Sequence, residues 1–127
     1  MDNINKKIER FLKERGWDNL SPADIAKSIS IEAAELLEIF QWSNPKASEV
    51  KADKDKTEKI KNELADVIIY SMELAGLLGI DAKKAVLKKI ERNSKKYPAI
   101  LMKKKKGDNP DLDSYFKIKE DYRRKGI

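Results

Sequence analysis

Residues 63 to 79 read ELADVIIYSMELAGLLG, and wound as a helix they place apolar side chains around most of the circumference. A helix greasy on nearly every side has to be buried on several of them. The chain has 127 residues, enough for one domain with a core and too few to argue for two. That combination predicts the centre of a helical bundle or a subunit interface. The helix is expected from about Lys54 to Leu78, closed by Gly79.

Three more helices follow from the spacing of apolar residues. Ile8, Phe11 and Leu12 give one over roughly Asn5 to Arg15, stopped by Gly16. "SPAD" at 21–24 starts a second, with Ser21 as cap, Pro22 in the first turn and Asp24 completing a capping box. This helix is expected to run to about Trp42, where "SNP" ends it, and residues 43–53 then read as a polar surface loop. Asp81 opens a further helix from Ala82 to about Lys96, and Tyr97-Pro98 ends it. Beyond "KKKKGDNPD", a linker-like stretch, a weaker helix covers Asp113 to Arg124. No segment alternates as a strand would. The expectation is an all-α, antiparallel bundle of about four core helices, assembled as a dimer or tetramer. Residues 1–98 would form the helical domain and 99–127 a basic extension, partly flexible or packed on a neighbouring subunit.

The chain contains no cysteine and no histidine. This excludes disulfides, thiolate nucleophiles, Ser-His and Cys-His catalysis, and the commonest transition-metal ligands. Any metal must be held by oxygen, which favours magnesium, manganese or calcium. The first dozen residues are polar and no apolar run approaches the roughly 18 residues of a membrane span. A cytoplasmic location, with no membrane partner, is the expectation. Charge is uneven: residues 1–82 hold 12 bases and 16 acids, residues 83–127 hold 16 bases and 6 acids. The basic part could meet phosphates.

Against that background, "IEAAELLEIFQW" at 31–42 is anomalous. At about 100° per residue, Glu32 and Glu35 fall inside a wide arc with Ile25, Ile29, Ala33, Leu36, Leu37 and Phe40 on one side and Ile31, Ile39 and Trp42 on the other. Glu63 and Asp66 repeat the pattern on the next long helix, sharing their sector with Tyr70, Leu74 and Leu77. One E-x-x-E or E-x-x-D alone is an ordinary solvated helix face. Two such pairs with apolar flanks on antiparallel helices can converge into a four-carboxylate site for a divalent cation. A di-iron bundle site does not fit, because its Glu-x-x-His pairs need histidine.

The segments "SIEAAELLEIFQW", "ELADVIIYSMELA" and "KIERNSKKYP", taken together, resemble the MazG-like all-α nucleoside triphosphate pyrophosphohydrolases, most closely the small dCTP-pyrophosphatase-type subgroup. The resemblance spans about Phe11 to Pro98. It implies magnesium-dependent hydrolysis of a nucleoside triphosphate to the monophosphate and pyrophosphate, with manganese as an alternative ion, in a homodimer or homotetramer. It also implies that Glu32, Glu35, Glu63 and Asp66 hold the metal. Lys89, Asn93 and Tyr97 then contact phosphates and sugar, and Trp17 and Trp42 line the base pocket. Glu35 is the first choice of general base and Glu38 the second. Where related sequences often carry His-Pro or Thr-Pro, this one has Ser21-Pro22, which leaves the base open among cytosine, thymine, uracil and modified forms. The alternative is a non-enzymatic basic helical module for nucleic acid or a protein partner. Base-stacking and groove-reading signatures are absent, so nucleic acid is not the expected partner.

Overall fold

Every element among the described residues is a helix. The structure, a computed structural model, describes residues 2–102 and 112–126. They fall into two units, residues 1–82 and 83–127.

The first unit holds α1 (Asp2–Glu14), α2 (Pro22–Glu38), α3 (Ala47–Ala52) and α4 (Lys54–Leu77). Gly16, at φ +67°, stops α1. The Trp17 amide turns back to donate to the Leu12 carbonyl at 2.9 Å, satisfying one of the last carbonyls of the helix. Pro22 sits at the start of α2 as expected, but Ser21 caps by backbone conformation alone and its hydroxyl makes no capping bond. Without that bond the expected capping box is not formed, and Asp24 lies 3.9 Å from the Lys27 ammonium instead.

Two boundaries differ from the sequence expectation. α2 ends at Glu38, not Trp42, because Phe40, Gln41 and Ser43 donate to carbonyls three residues back and tighten the chain into turns. Residues 43–53 are not a plain loop. They contain α3, anchored where the Thr57 hydroxyl donates to the Val50 carbonyl at 2.8 Å. Asp53 then ends α3 and caps α4, its carboxylate accepting the Lys56 amide at 3.0 Å.

α2 and α4 form the main helix pair of this unit. Ile25, early in α2, shares a cleft with Met72 and Glu73, late in α4. Phe40, just past α2, lies under the Lys56 ammonium, early in α4, at 5.5 Å. The two helices are therefore antiparallel. Leu12, Ile25 and Met72 are the buried apolar residues among those described. The expectation that α4 is buried around most of its circumference is not met within this chain: Leu64 and Ile68 are each 47% exposed. Leu37, placed on the core stripe of α2 by its spacing, is 70% exposed.

The second unit contains α5 (Ala82–Lys96), whose first residue belongs to the first unit, together with α6 (Ala99–Met102) and α7 (Leu112–Arg124). Tyr97 stacks on Tyr115 with ring centroids 5.0 Å apart, and Lys96 lies over both Tyr97 and Tyr122. Aromatic and cation–π contacts thus hold α7 to the end of α5. The lysine run 103–106, read from sequence as a solvated linker, lies outside the described residues. No described helix is long and apolar enough to cross a membrane.

Candidate functional site

The antiparallel pairing of α2 and α4 brings their mid-helix carboxylates together. One oxygen each from Glu32, Glu63 and Asp66 lies within 4.8 Å of the others. All three side chains are half-buried. Glu32 Oε2 and Glu63 Oε2 are closed off from solvent and have no hydrogen-bond partner. Buried acceptors without donors are expensive, and two at one point make a place that a cation would satisfy.

Charge repulsion and burial act together here. Glu32 is pushed up to about 7, first by the hydrogen bond it shares with the Glu35 carboxyl, then by burial, the hydrogen bond with Glu63, and the charges of Glu35 and Asp66. Burial, followed by a hydrogen bond with Glu35, raises Glu63, while its bond with Glu32 pulls the other way. Glu35 is itself exposed, at the open side of the group.

Glu35, Glu38 and Glu63 line a cleft of about 580 Å³ whose other walls include Lys56 and Lys59. Neither lysine was singled out from sequence. The signal was present: at about 100° per residue, Lys56, Lys59, Glu63, Asp66, Tyr70 and Glu73 all fall within about 100° of arc on α4. Two bases, two acids, a phenol and a further acid thus follow one another along one face. Burial and the charges of Glu32, Glu73, Asp66 and Glu35 raise the Tyr70 phenol, which places it within the field of these carboxylates.

The remaining predicted residues are dispersed. Trp17 packs edge-on against Phe11 at 5.9 Å and is 49% exposed; Trp42 is 90% exposed. Lys89 and Asn93 lie on α5, one turn apart, and Tyr97 directly follows that helix in its stack with Tyr115. Lys89 is exposed, whereas Asn93 and Tyr97 are half-buried. These three belong to the second unit.

A pyrophosphatase from Archaeoglobus fulgidus of known crystal structure is 38% identical to this chain and superposes with a TM-score of 0.67, over 77% of this chain and 92% of that one. Proteins named dCTP pyrophosphatase 1 from Rattus norvegicus and Homo sapiens are each 30% identical over 103 residues, 80% of this chain and 61% of theirs. The chain thus spans less than two thirds of these relatives' length. The sequence profile of the MazG-like family matches residues 27–112. With the helical fold and the paired carboxylates of α2 and α4, this establishes that the chain belongs to the MazG-like family.

Proposed function

We propose that the protein is a magnesium-dependent pyrophosphohydrolase that cleaves a nucleoside triphosphate to the monophosphate and pyrophosphate. Its substrate on this reading is a pyrimidine deoxynucleotide, dCTP or a modified analogue. The single observation behind the reading is the convergence of Glu32, Glu63 and Asp66 with two buried, unpartnered oxygens. The relatives named as dCTP pyrophosphatases and as a pyrophosphatase support it.

An all-oxygen donor set suits magnesium, with manganese as a substitute. Glu32, Glu63, Asp66 and the adjacent Glu35 would hold it. When bound, the ion supplies positive charge that offsets the phosphates and makes water more acidic. The protein's own groups do the rest. Water attacks the α-phosphorus, the bond from that phosphorus to the α–β bridging oxygen breaks, and pyrophosphate leaves. Glu35, exposed at the cleft, takes the proton of the attacking water, with Glu38 as the second candidate. Lys56 and Lys59 bind the pyrophosphate end and stabilise its growing charge. Lys89, Asn93 and Tyr97 contact phosphate and sugar from α5, and Trp17 and Trp42 supply aromatic surface for the base. The assembly is a homodimer or homotetramer, a role for the apolar surface that one chain leaves exposed.

The test is a panel of common and modified nucleoside triphosphates, scored for monophosphate and pyrophosphate with magnesium and with a chelator. Release of both products from a pyrimidine deoxynucleotide, abolished by the chelator, is the expected result. No turnover of any triphosphate with magnesium or manganese would refute the reading.

A further inference from the structure

Residues 83–127 carry their bases on the surface, with two exceptions. Lys96 and Lys119 are half-buried, whereas the other described lysines and arginines of that unit are exposed. Both lie against tyrosines. Lys96 Nζ is 5.2 Å from the Tyr97 ring centre and 4.7 Å from that of Tyr122, and Lys119 Nζ is 5.6 Å from that of Tyr115. Tyr115 in turn stacks on Tyr97 at 5.0 Å, with the ring planes 28° apart. Tyr115, Lys119 and Tyr122 are spaced i, i+4 and i+7, so one stripe of α7 supplies its side of this cluster. The family profile stops at residue 112, where α7 begins, so the stripe lies outside the matched segment.

What α7 grips is the end of a row. Lys89, Asn93 and Tyr97 follow one another at four-residue steps, within about 80° of arc. The Tyr97 amide still donates to the Asn93 carbonyl at 2.7 Å, and Pro98 stops the helix there. A ring at a helix end keeps its rotamer freedom unless packing removes it. Tyr115 removes it, with the Lys96 ammonium held over the same ring. Fixing a contact residue before its ligand arrives lowers the cost of binding.

We propose that Tyr115 is a positioning residue for nucleotide binding: its stack holds the Tyr97 ring in the orientation that meets the sugar and phosphates, so α7 sets affinity by way of Tyr97. This rests on the pyrophosphohydrolase reading and on the contact that reading gives Tyr97. The effect falls on binding and not on bond breaking, because Glu35 and the cation ligands stand on other helices.

The test compares full-length wild type, Tyr97→Ala, Tyr115→Ala, Tyr115→Phe and the Tyr97→Ala/Tyr115→Ala double variant. Two quantities are read in magnesium buffer: kcat and KM for pyrophosphate release, and the calorimetric Kd of dCMP. Tyr115→Ala should raise KM and Kd about three- to tenfold, the worth of one aromatic pair, with kcat within about twofold. Tyr115→Phe keeps the stacking face and should match the wild type. On the Tyr97→Ala background, Tyr115→Ala should add nothing further. Should alanine unfold the chain by circular dichroism, Tyr115→Leu, which keeps apolar volume without a ring face, takes its place with the same expectation. Unchanged KM and Kd in the folded variant, an equal loss with phenylalanine, or the same loss with Tyr97 already removed overturns the proposal, as does a Tyr97→Ala protein that binds like the wild type. Binding of dCMP that depends on Tyr115 only while Tyr97 is present, with no pyrophosphate released from any triphosphate, would sink the hydrolytic reading alone. Pyrophosphate release with a KM indifferent to Tyr115 would sink the present proposal alone.

Discussion

Burial and the mutual repulsion of Glu32, Glu35, Glu63 and Asp66 fix how the site responds to protons. Glu32 titrates near 7 in the folded chain, against 4.5 for an ordinary glutamate. Between those values the folded protein holds more protons than the unfolded one, so stability falls as pH rises through that window. In a chelator, thermal melting should therefore occur at a higher temperature at pH 5 than at pH 8, and Glu32→Gln should flatten the difference. A protein more stable at pH 8 under those conditions would contradict the assignment of charge. Metal binding should release protons near neutral pH, since the ligands must ionise. Glu35 is exposed where Glu32 is not, which suits it to exchange protons with water. Glu35→Gln is expected to lower turnover at least tenfold, with the circular-dichroism spectrum unchanged. Wild-type activity in that variant would move the base to Glu38 or elsewhere. Glu32, Glu63 and Asp66 were legible in the sequence because each lay in a paired motif flanked by apolar residues. Glu73 was not singled out although it lies on the same arc of α4 as Glu63 and Asp66, because only packing shows that its oxygen is orphaned.

Helix boundaries depend on capping, and Asp53 shows this most directly. It terminates α3 and accepts the Lys56 amide at the start of α4, so it fixes the angle between the two. Asp53→Ala should cost about 1 kcal/mol in chemical denaturation, while Asp53→Asn should cost less, because the amide oxygen can still accept. Equal losses from both would mean that charge at the helix end, not the capping bond, is what matters. The long helices could be read from periodicity, and both positive-φ glycines that close α1 and α4, Gly16 and Gly79, were found as stops. The short α3 could not, because six residues with one half-buried side chain, Val50, offer too few apolar positions to show a period. The end of α2 was overestimated for a related reason. Ile39, Phe40 and Trp42 continue the apolar arc by spacing, yet the backbone has already left the helix through three-residue turns. Lys56 then holds that turn from α4, reaching Ser43 Oγ at 3.4 Å and the Phe40 ring, a tertiary contact with no local sequence signal.

At the scale of the molecule, the two faces of α4 have opposite character. One carries the lysines, carboxylates, Tyr70 and Glu73. Leu64 and Ile68 lie about 160° from Asp66 at 100° per residue, on the back of the helix, and both are exposed. Ile31 and Leu37 on α2 and Val86, Leu87 and Ile90 on α5 are each more than half exposed as well. Scattered surface leucines are ordinary, but Leu64 and Ile68, one turn apart on the longest described helix, form an apolar patch of the kind a second copy covers. If it does, a charge at the centre of that row should disrupt assembly without touching the carboxylates on the other side. Light scattering on the eluting wild type should give a mass of two or four chains, and Leu64→Glu with Ile68→Glu should shift it to a smaller species. Their distance around the helix from Glu63 and Asp66 separates two outcomes. If magnesium still protects the smaller species against thermal melting, the cation site is built within one chain; if protection is lost with assembly, the partner copy is needed to complete it. A wild type that elutes as a monomer at micromolar concentration would leave the apolar back of α4 in water and overturn this account of why Leu64 and Ile68 stand on it.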